Sequence, residues 1–317
     1  MKVGYFLSCE EFGPAELVEQ ARLAEQAGFD SLWISDHFHP WNDAQGESPF
    51  VWSVIGAVSQ VCSLPVTTAV TCPTVRLHPV IVAQAAATSA TMLDGRFVLG
   101  VGSGEALNEH ILGDPWPSAD VRLEMLEEAV ALIRKLWGGG FVTEYGHHYD
   151  VDHARIYTMP ATPPPIYVSG FGPKATDLAA RIGDGFIATM PDPELVGRFR
   201  EASKGKPAVA GAKVAYADTE QQGVEIAHHL WANAGLPGEL SQVLPSPVHF
   251  EQASTLVTEE MTRESVVAGR DVEAHLSQLR EYADAGYDEL NIANMGPHYR
   301  EMIAFYASEV LPRFRNG

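Results

Sequence analysis

Eight times along the 317 residues, an apolar run of strand length is followed by a segment of helical period, and this alternation restricts the chain to an α/β fold with parallel strands. The runs begin at Lys2, Phe29, Pro65, Arg96, Pro165, Gly185, Ala208 and Tyr287. The first sets the pattern: Lys2 to Leu7 is apolar, then Leu17, Val18, Ala21, Ala24 and Ala27 recur at helical spacing up to Gly28, a residue suited to the left-handed turn that ends a helix. The fourth, Phe97-Val98-Leu99-Gly100-Val101, has no polar alternation, as expected of a strand buried on both faces. Eight such units are the number in a TIM (β/α)8 barrel, and one barrel domain over residues 1–317 is expected; an open doubly wound sheet is the rival. Two stretches break the rhythm. Residues 138–164 carry Phe141-Val142-Thr143 and Tyr149-Asp150-Val151 around Tyr145-Gly146-His147-His148, which predicts an inserted hairpin. Residues 235–262, with Leu236-Pro237-Gly238 and Leu244-Pro245-Ser246-Pro247, predict a lid-like insertion over the barrel top.

A barrel gathers the loops that follow its strands on one face, so residues far apart in sequence are expected to meet there: Glu10, Asp36, His37, Trp41, Thr71, Glu105, Ser169 and Thr189. The densest of these loops is Ser35-Asp36-His37-Phe38-His39-Pro40-Trp41, directly after Ser31-Leu32-Trp33-Ile34. A carboxylate, two imidazoles and an indole are costly to bury without partners, so they line a site or meet water. An HxH pair after a strand also begins some metal sites. Here the endings Ser169-Gly170, Thr189-Met190 and Ala293-Asn294 bring neither imidazole nor carboxylate, and no metal is expected. A lone histidine is often structural; with Asp36 and Trp41 beside it, His37 reads as a general base. Gly100-Val101-Gly102-Ser103-Gly104-Glu105 and Ser169-Gly170-Phe171-Gly172-Pro173-Lys174 are glycine loops after strands, the second opening a helix. Each alone is an ordinary tight turn, but two on one face suit a phosphorylated cofactor.

Charge narrows the partners. With 41 acidic and 21 basic residues the net charge is −20, which opposes binding to nucleic acid or anionic membranes. Cys9, Cys62 and Cys72 form no close pair, in keeping with a reducing cytoplasm and no zinc site. Neither a signal-peptide pattern nor a long apolar span is apparent, so a soluble intracellular protein acting on a small molecule is expected.

Together, Ser35-Asp36-His37-Phe38 with Pro40-Trp41, Gly102 to Glu109, and Ser169 to Pro173 resemble the luciferase-like monooxygenase superfamily, and within it the deazaflavin-dependent glucose-6-phosphate dehydrogenase group. The resemblance spans essentially the whole chain. It implies a barrel that binds coenzyme F420 and moves a hydride from a CH–OH carbon, in an alcohol or sugar hemiacetal, to the oxidised deazaflavin. By that resemblance His37 is the base that takes the hydroxyl proton, Trp41 positions the substrate, Glu105 lies near the ring's N1 side, and Glu10 is a second acid. Asp36, Ala69, Val70, Cys72, Gly104, Asn108, Ser169, Gly170, Phe171, Gly172 and Thr189 would contact the cofactor. The resemblance also implies a cis peptide at Ala69–Val70 and a homodimer. Where sugar-phosphate enzymes place phosphate-binding cations, this chain has Asp192, Gln252 and Glu264, so a substrate without that phosphate is expected. Met190, Trp231 and Phe250 are expected near the pocket. Three alternatives stay open: a sugar-phosphate enzyme relying on Arg263, an FMN-dependent luciferase-like monooxygenase, and a cofactor carrier without turnover.

Overall fold

The computed structural model describes residues 1–316. In chain order the elements are β1 (Lys2–Leu7), α1 (Pro14–Ala27), β2 (Leu32–Ile34), α2 (Val51–Val58), β3 (Val66–Thr68), α3 (Pro79–Met92), β4 (Phe97–Val101), α4 (Ala106–Glu109) and α5 (Ala119–Trp137). After the hairpin β5 (Val142–Tyr145) and β6 (Asp150–Ala154) come β7 (Ile166–Ser169), α6 (Pro173–Ile182), β8 (Gly185–Ala188), α7 (Pro193–Ser203), β9 (Ala208–Ala215) and α8 (Glu220–Trp231). The chain ends with α9 (Leu240–Val243), α10 (Pro247–Ser254), α11 (Glu259–Ser265), β10 (Val267–Ala268), α12 (Val272–Asp284), β11 (Glu289–Asn294), α13 (Tyr299–Phe305) and α14 (Leu311–Asn316).

Eight parallel strands close on themselves in the order β1, β2, β3, β4, β7, β8, β9, β11, with β11 returning to β1 through the register Lys2↔Glu289 to Tyr5↔Ile292. The rival open sheet is thereby excluded: β8 pairs with β9 as well as β7, and no edge remains in the ring. The hairpin pairs antiparallel outside the ring, and β10 adds two residues beside Val214 and Ala215 of β9. Apolar residues divide between two places. One set, including Leu17, Val54, Ala86, Leu99, Ile133 and Phe199, fills the layer between barrel and helices. A smaller set, Phe6, Trp33, Ile187, Val209 and Ala293, fills the barrel interior beneath the loops. Each fully buried Leu, Ile or Phe contributes ~1.5–3 kcal/mol, so the outer layer dominates stability and the interior set mainly forms the floor of the site. β3 and β4 approach unusually closely at Gly100, where a Cβ would lie 1.8 Å from the Thr68 carbonyl oxygen. Thr68 Oγ1 donates to the Gly100 carbonyl at 2.9 Å and accepts from its N–H at 3.0 Å.

Three helix ends differ from the sequence expectation. α2 stops at Val58 and continues as a turn through Cys62 rather than as helix. The sequence pattern is helical from Glu220 to Ala234, whereas α8 ends at Trp231 and tightens into a 3₁₀ turn, Ala232–Gly235, ahead of Pro237, because the chain must leave the helix axis to enter the insertion. The last helix passes through a π turn at Tyr306–Val310. Among the described residues, no helix is long and apolar enough to cross a membrane.

Candidate active site

The loop after β2 is held from below before it can present any chemistry. Ser35 Oγ donates to Glu10 Oε2 at 2.7 Å and accepts from the Cys9 N–H at 2.9 Å, which ties the end of β2 to the end of β1. Asp36 points away from the barrel mouth: it accepts from Thr71 Oγ1 at 2.7 Å and from Arg76 Nη2 at 2.8 Å. Arg76 also faces Glu109, with Nε 3.4 Å from Oε1 and its backbone N–H donating to Oε2 at 2.7 Å. The side chains of Arg76, Asp36 and Glu109 are 6%, 0% and 1% exposed, so this is a buried charged triad. Burial raises the Glu109 carboxyl, opposed mainly by Arg76.

With Asp36 fixed, the chain turns and His37 enters the barrel mouth. Its Nε2 lies 3.4 Å from Glu10 Oε1 and 3.9 Å from Glu105 Oε2. Its Nδ1 lies 3.1 Å from the His39 carbonyl oxygen and 3.1 Å from Asn108 Nδ2. Asn108 is oriented by its own partners, since Oδ1 accepts from the N–H groups of Phe38 at 2.9 Å and His39 at 3.2 Å, while Nδ2 donates to Glu105 Oε2 at 3.2 Å. Nδ1 therefore faces both an acceptor and a donor, and donation to the His39 carbonyl leaves the Nε2 lone pair free toward the cavity. His39 is used locally, its Nδ1 2.9 Å from the Leu107 carbonyl. Burial raises the Glu105 carboxyl and the nearby His37 opposes the shift. Trp41 packs beside His37 with ring centroids 5.1 Å apart and edge-on to Phe250 at 5.0 Å, so the insertion helix α10 supports the substrate-side wall.

These groups open onto one cavity of about 750 Å³. Glu10, His37, Trp41 and Glu105 line it, as do Ala69, Val70, Cys72, Gly104 and Asn108 and, from two further strand ends, Ser169, Gly170, Phe171, Gly172 and Thr189. Asp36 and Thr71 do not line it, although both flank it. The Ala69–Val70 peptide is cis. Gly104 takes φ +83°, and a Cβ there would lie 2.5 Å from Cys72 Sγ, so only glycine fits this turn without displacing its neighbours. Burial pushes the Cys72 thiol well up, leaving it inert. At the far end, Gly172 begins α6 without a side-chain cap. Pro173 has no N–H and Thr176 N bonds back to Gly172 O, so the N–H groups of Lys174 and Ala175 face the cavity end as an anion cradle. Two buried donors in the cavity wall, Trp33 Nε1 and Arg122 Nε, have no hydrogen-bond partner.

Asp192, where sugar-phosphate enzymes place a phosphate-binding cation, and Arg263, the alternative, are both engaged away from the cavity. Asp192 caps α7 by accepting from the Glu194 and Leu195 N–H groups at 2.9 and 3.0 Å. Arg263 pairs with Glu220 at 3.0 Å and Glu260 at 3.6 Å and does not reach the cavity. Of the three aromatic or apolar residues expected nearby, Phe250 and Trp231 are buried behind the cavity and Met190 is exposed. Among the described residues no cluster of three or more His, Cys, Asp or Glu side chains is arranged to hold a metal ion.

Sequence reasoning missed Lys213 and Glu11. Lys213 projects from β9 into the cavity; a lysine within the run Ala208-Val209-Ala210-Gly211-Ala212-Lys213-Val214-Ala215 was the available signal. Glu11 accepts from Trp231 Nε1 and, at 2.6 Å, from the Gly296 N–H, clamping the ends of β1, α8 and β11. Burial pushes its carboxyl up to about 7 from 4.5, with those two hydrogen bonds opposing the shift. The folded state then binds this proton more tightly than the unfolded chain, so the contribution of Glu11 to stability is greatest below pH 4.5 and is lost as pH rises through about 7. Thermal melts across that window should show Glu11→Gln gaining on the parent protein as pH rises; parallel curves for the two proteins would refute the assignment.

Residues 1–289 match the luciferase-like monooxygenase family. An F420-dependent glucose-6-phosphate dehydrogenase of Nakamurella multipartita is 36% identical over 99% of this chain and 97% of that protein. Its counterpart in Microbacterium testaceum is 35% identical over 99% and 98%. Among solved structures, an F420-dependent secondary alcohol dehydrogenase in complex with an F420-acetone adduct superposes with a TM-score of 0.92 at 31% identity, covering 99% of each chain. A coenzyme F420-dependent tetrahydromethanopterin reductase from Methanopyrus kandleri, at 20% identity and a TM-score of 0.79, shares the fold.

Proposed function

This chain belongs to the luciferase-like monooxygenase family, and we propose that it is an F420-dependent dehydrogenase acting on a CH–OH group. The observation that carries this reading is the placement of His37 Nε2 between two carboxylates, 3.4 Å from Glu10 and 3.9 Å from Glu105, in a cavity that runs on to an uncapped helix N-terminus. That cavity fits F420. A flat ring system has the space between Val70, Gly104 and Glu105, and a phosphate-bearing tail has the Lys174 and Ala175 N–H groups; the unpaired Arg122 Nε and Trp33 Nε1 are donors in want of an acceptor. Bound there, F420 supplies a two-electron acceptor for hydride.

The protein's own residues do the rest. Trp41 walls the substrate against His37. When the carbinol C–H bond breaks, His37 Nε2 would take the O–H proton so that the C–O bond becomes a carbonyl, and F420, held along the cavity, would supply the two-electron acceptor. The resulting imidazolium is stabilised by Glu10, which Ser35 holds in place, and by Glu105, which Asn108 holds. The His39 carbonyl, accepting from Nδ1, keeps the ring oriented throughout. The phosphorylated sugar named for the F420-dependent glucose-6-phosphate dehydrogenases is a poor match for this pocket. Arg263 is engaged elsewhere and Asp192 is a helix cap, so a phosphate dianion would lack the cations that sugar-phosphate enzymes place at those positions, a penalty of several kcal/mol.

Two measurements test the reading. Titration of the apoprotein should quench F420 fluorescence at micromolar concentrations and leave FMN largely free; the opposite preference would assign the chain to the flavin branch. In steady-state assays at the deazaflavin absorbance band, glucose 6-phosphate should fall ~10²–10³-fold below the preferred alcohol in kcat/KM, the equivalent of a few kcal/mol. Efficient oxidation of glucose 6-phosphate would overturn the substrate half of the proposal. A cytoplasmic homodimer accompanies it, supported by three buried free cysteines and an apolar groove of Phe50, Trp52, Ile81 and Met92 on the outer face.

A further inference from the structure

Lys213 is a half-buried cation that lines the cavity without a protein partner for its ammonium. No carboxylate lies within ion-pair distance of its Nζ and no hydrogen-bond acceptor receives its protons among the described residues. The ammonium lies instead over the ring of Trp231 at 4.3 Å and near that of Phe6 at 5.8 Å. The three acidic groups that act on it from longer range are already committed. Glu10 is held by Ser35 and faces His37, Glu11 is held by Trp231 and Gly296, and Glu105 is held by Asn108. Burial lowers its basicity, opposed by those carboxylates. A cation–π contact with Trp231 lessens the desolvation cost but satisfies none of the three N–H donors.

Its position says which molecule supplies the missing acceptor. Phe6 belongs to the apolar barrel floor with Trp33, Ile187 and Val209, and Trp231 belongs to the cluster that also holds Trp41. Lys213 thus sits between the floor and the wall that holds Trp41, with Glu10 and Glu105, the two carboxylates that face His37, acting on it. Three carboxyl groups, Glu10, Glu11 and Glu105, act on it from nearby, so a neutral hydroxyl could accept from the ammonium and donate to a carboxyl oxygen, a pairing that an anionic group cannot complete.

We infer that Lys213 is a substrate-binding residue that reads a second, neutral oxygen next to the carbon being oxidised, which selects vicinal diols and sugar lactols over simple mono-alcohols. This rests on the dehydrogenase reading above and assigns its substrate class. A mono-alcohol leaves the ammonium unpaired in the closed pocket; a diol completes it. Rejection by an unpaired buried polar group is stronger than any preference set by apolar contact alone.

The test compares butane-2,3-diol with butan-2-ol, which present the same carbinol carbon. The parent protein should favour the diol at least ~10-fold in kcat/KM, chiefly through KM. Lys213→Met should collapse that ratio toward one by raising the diol's KM, and Lys213→Gln, which keeps a donor and guards against a folding defect, should retain part of it. Quenching of F420 fluorescence is measured on all three proteins. Equal use of the two alcohols by the parent protein, turnover of neither, or an undiminished ratio in Lys213→Met with normal quenching overturns this inference alone. Absence of F420 quenching by the parent protein overturns the dehydrogenase reading and this inference with it.

Discussion

Replacing His37 with alanine should lower kcat by ~10²–10⁴-fold, the usual contribution of a positioned general base, while F420 still quenches on binding. The side chain is set by four contacts on its two nitrogens: Glu10 and Glu105 at Nε2, the His39 carbonyl and Asn108 at Nδ1. Removing it deletes the proposed acceptor for the hydroxyl proton and leaves Glu10 and Glu105 without the imidazole between them. Neither can replace it well. Glu10 is engaged by Ser35, and burial raises the Glu105 carboxyl toward its protonated form. The cofactor cradle at the Ser169 to Ala175 end is untouched by the substitution. Stopped-flow measurement of deazaflavin bleaching with a saturating alcohol gives the rate directly. A rate within a few-fold of the parent, with cofactor bound, would remove His37 from the mechanism.

The largest effect on stability should come from Arg76→Met. The side chain fills a nearly sealed space between Asp36 and Glu109, whose carboxylates are themselves all but inaccessible. Methionine matches the volume roughly but leaves two like charges buried with only Thr71 Oγ1 and the residue-76 backbone N–H to meet them. Breaking a buried pair by removing one partner costs about 3–5 kcal/mol. Urea denaturation should show a loss of that size, and adding Glu109→Gln to Arg76→Met should recover part of it, since the second substitution removes one stranded charge. A loss below ~1 kcal/mol would mean the triad is worth no more than a surface pair. Activity should fall too, because Asp36 immediately precedes His37 and its anchoring fixes where the loop turns.

The two substitutions mark a division in the site. His37, Trp41, Glu10 and Glu105 are legible because each follows a strand run, and a closed parallel barrel brings every such position to one face. The same logic located the glycine loops. It does not say where a side chain points once there. Asp36 was expected at the cofactor ring by resemblance; its carboxylate is turned under the loop to Arg76 and Thr71, so we propose that it acts through the placement of His37. Arg76 carries no motif, being part of an irregular stretch between β3 and α3, and nothing in its neighbours announces a buried ion triad. Arg263 looked available in the sequence because Glu220 and Gln221, which hold it, are more than forty residues away.

The sequence by itself determined the repeating β/α order, the count of eight units that a barrel requires, and the set of loops that follow the strands, because hydrophobic period and glycine placement are local properties of the chain. Only the tertiary structure decided which charges are paired. Lys213, one lysine in a small-residue strand, becomes the unpartnered cation of the pocket because Glu10, Glu11 and Glu105, drawn from two other strand ends, each bond elsewhere first. Whether a buried charge is satisfied depends on distances between residues that sequence order leaves free, and that is why the fold could be read from the chain while the selectivity of its site could not.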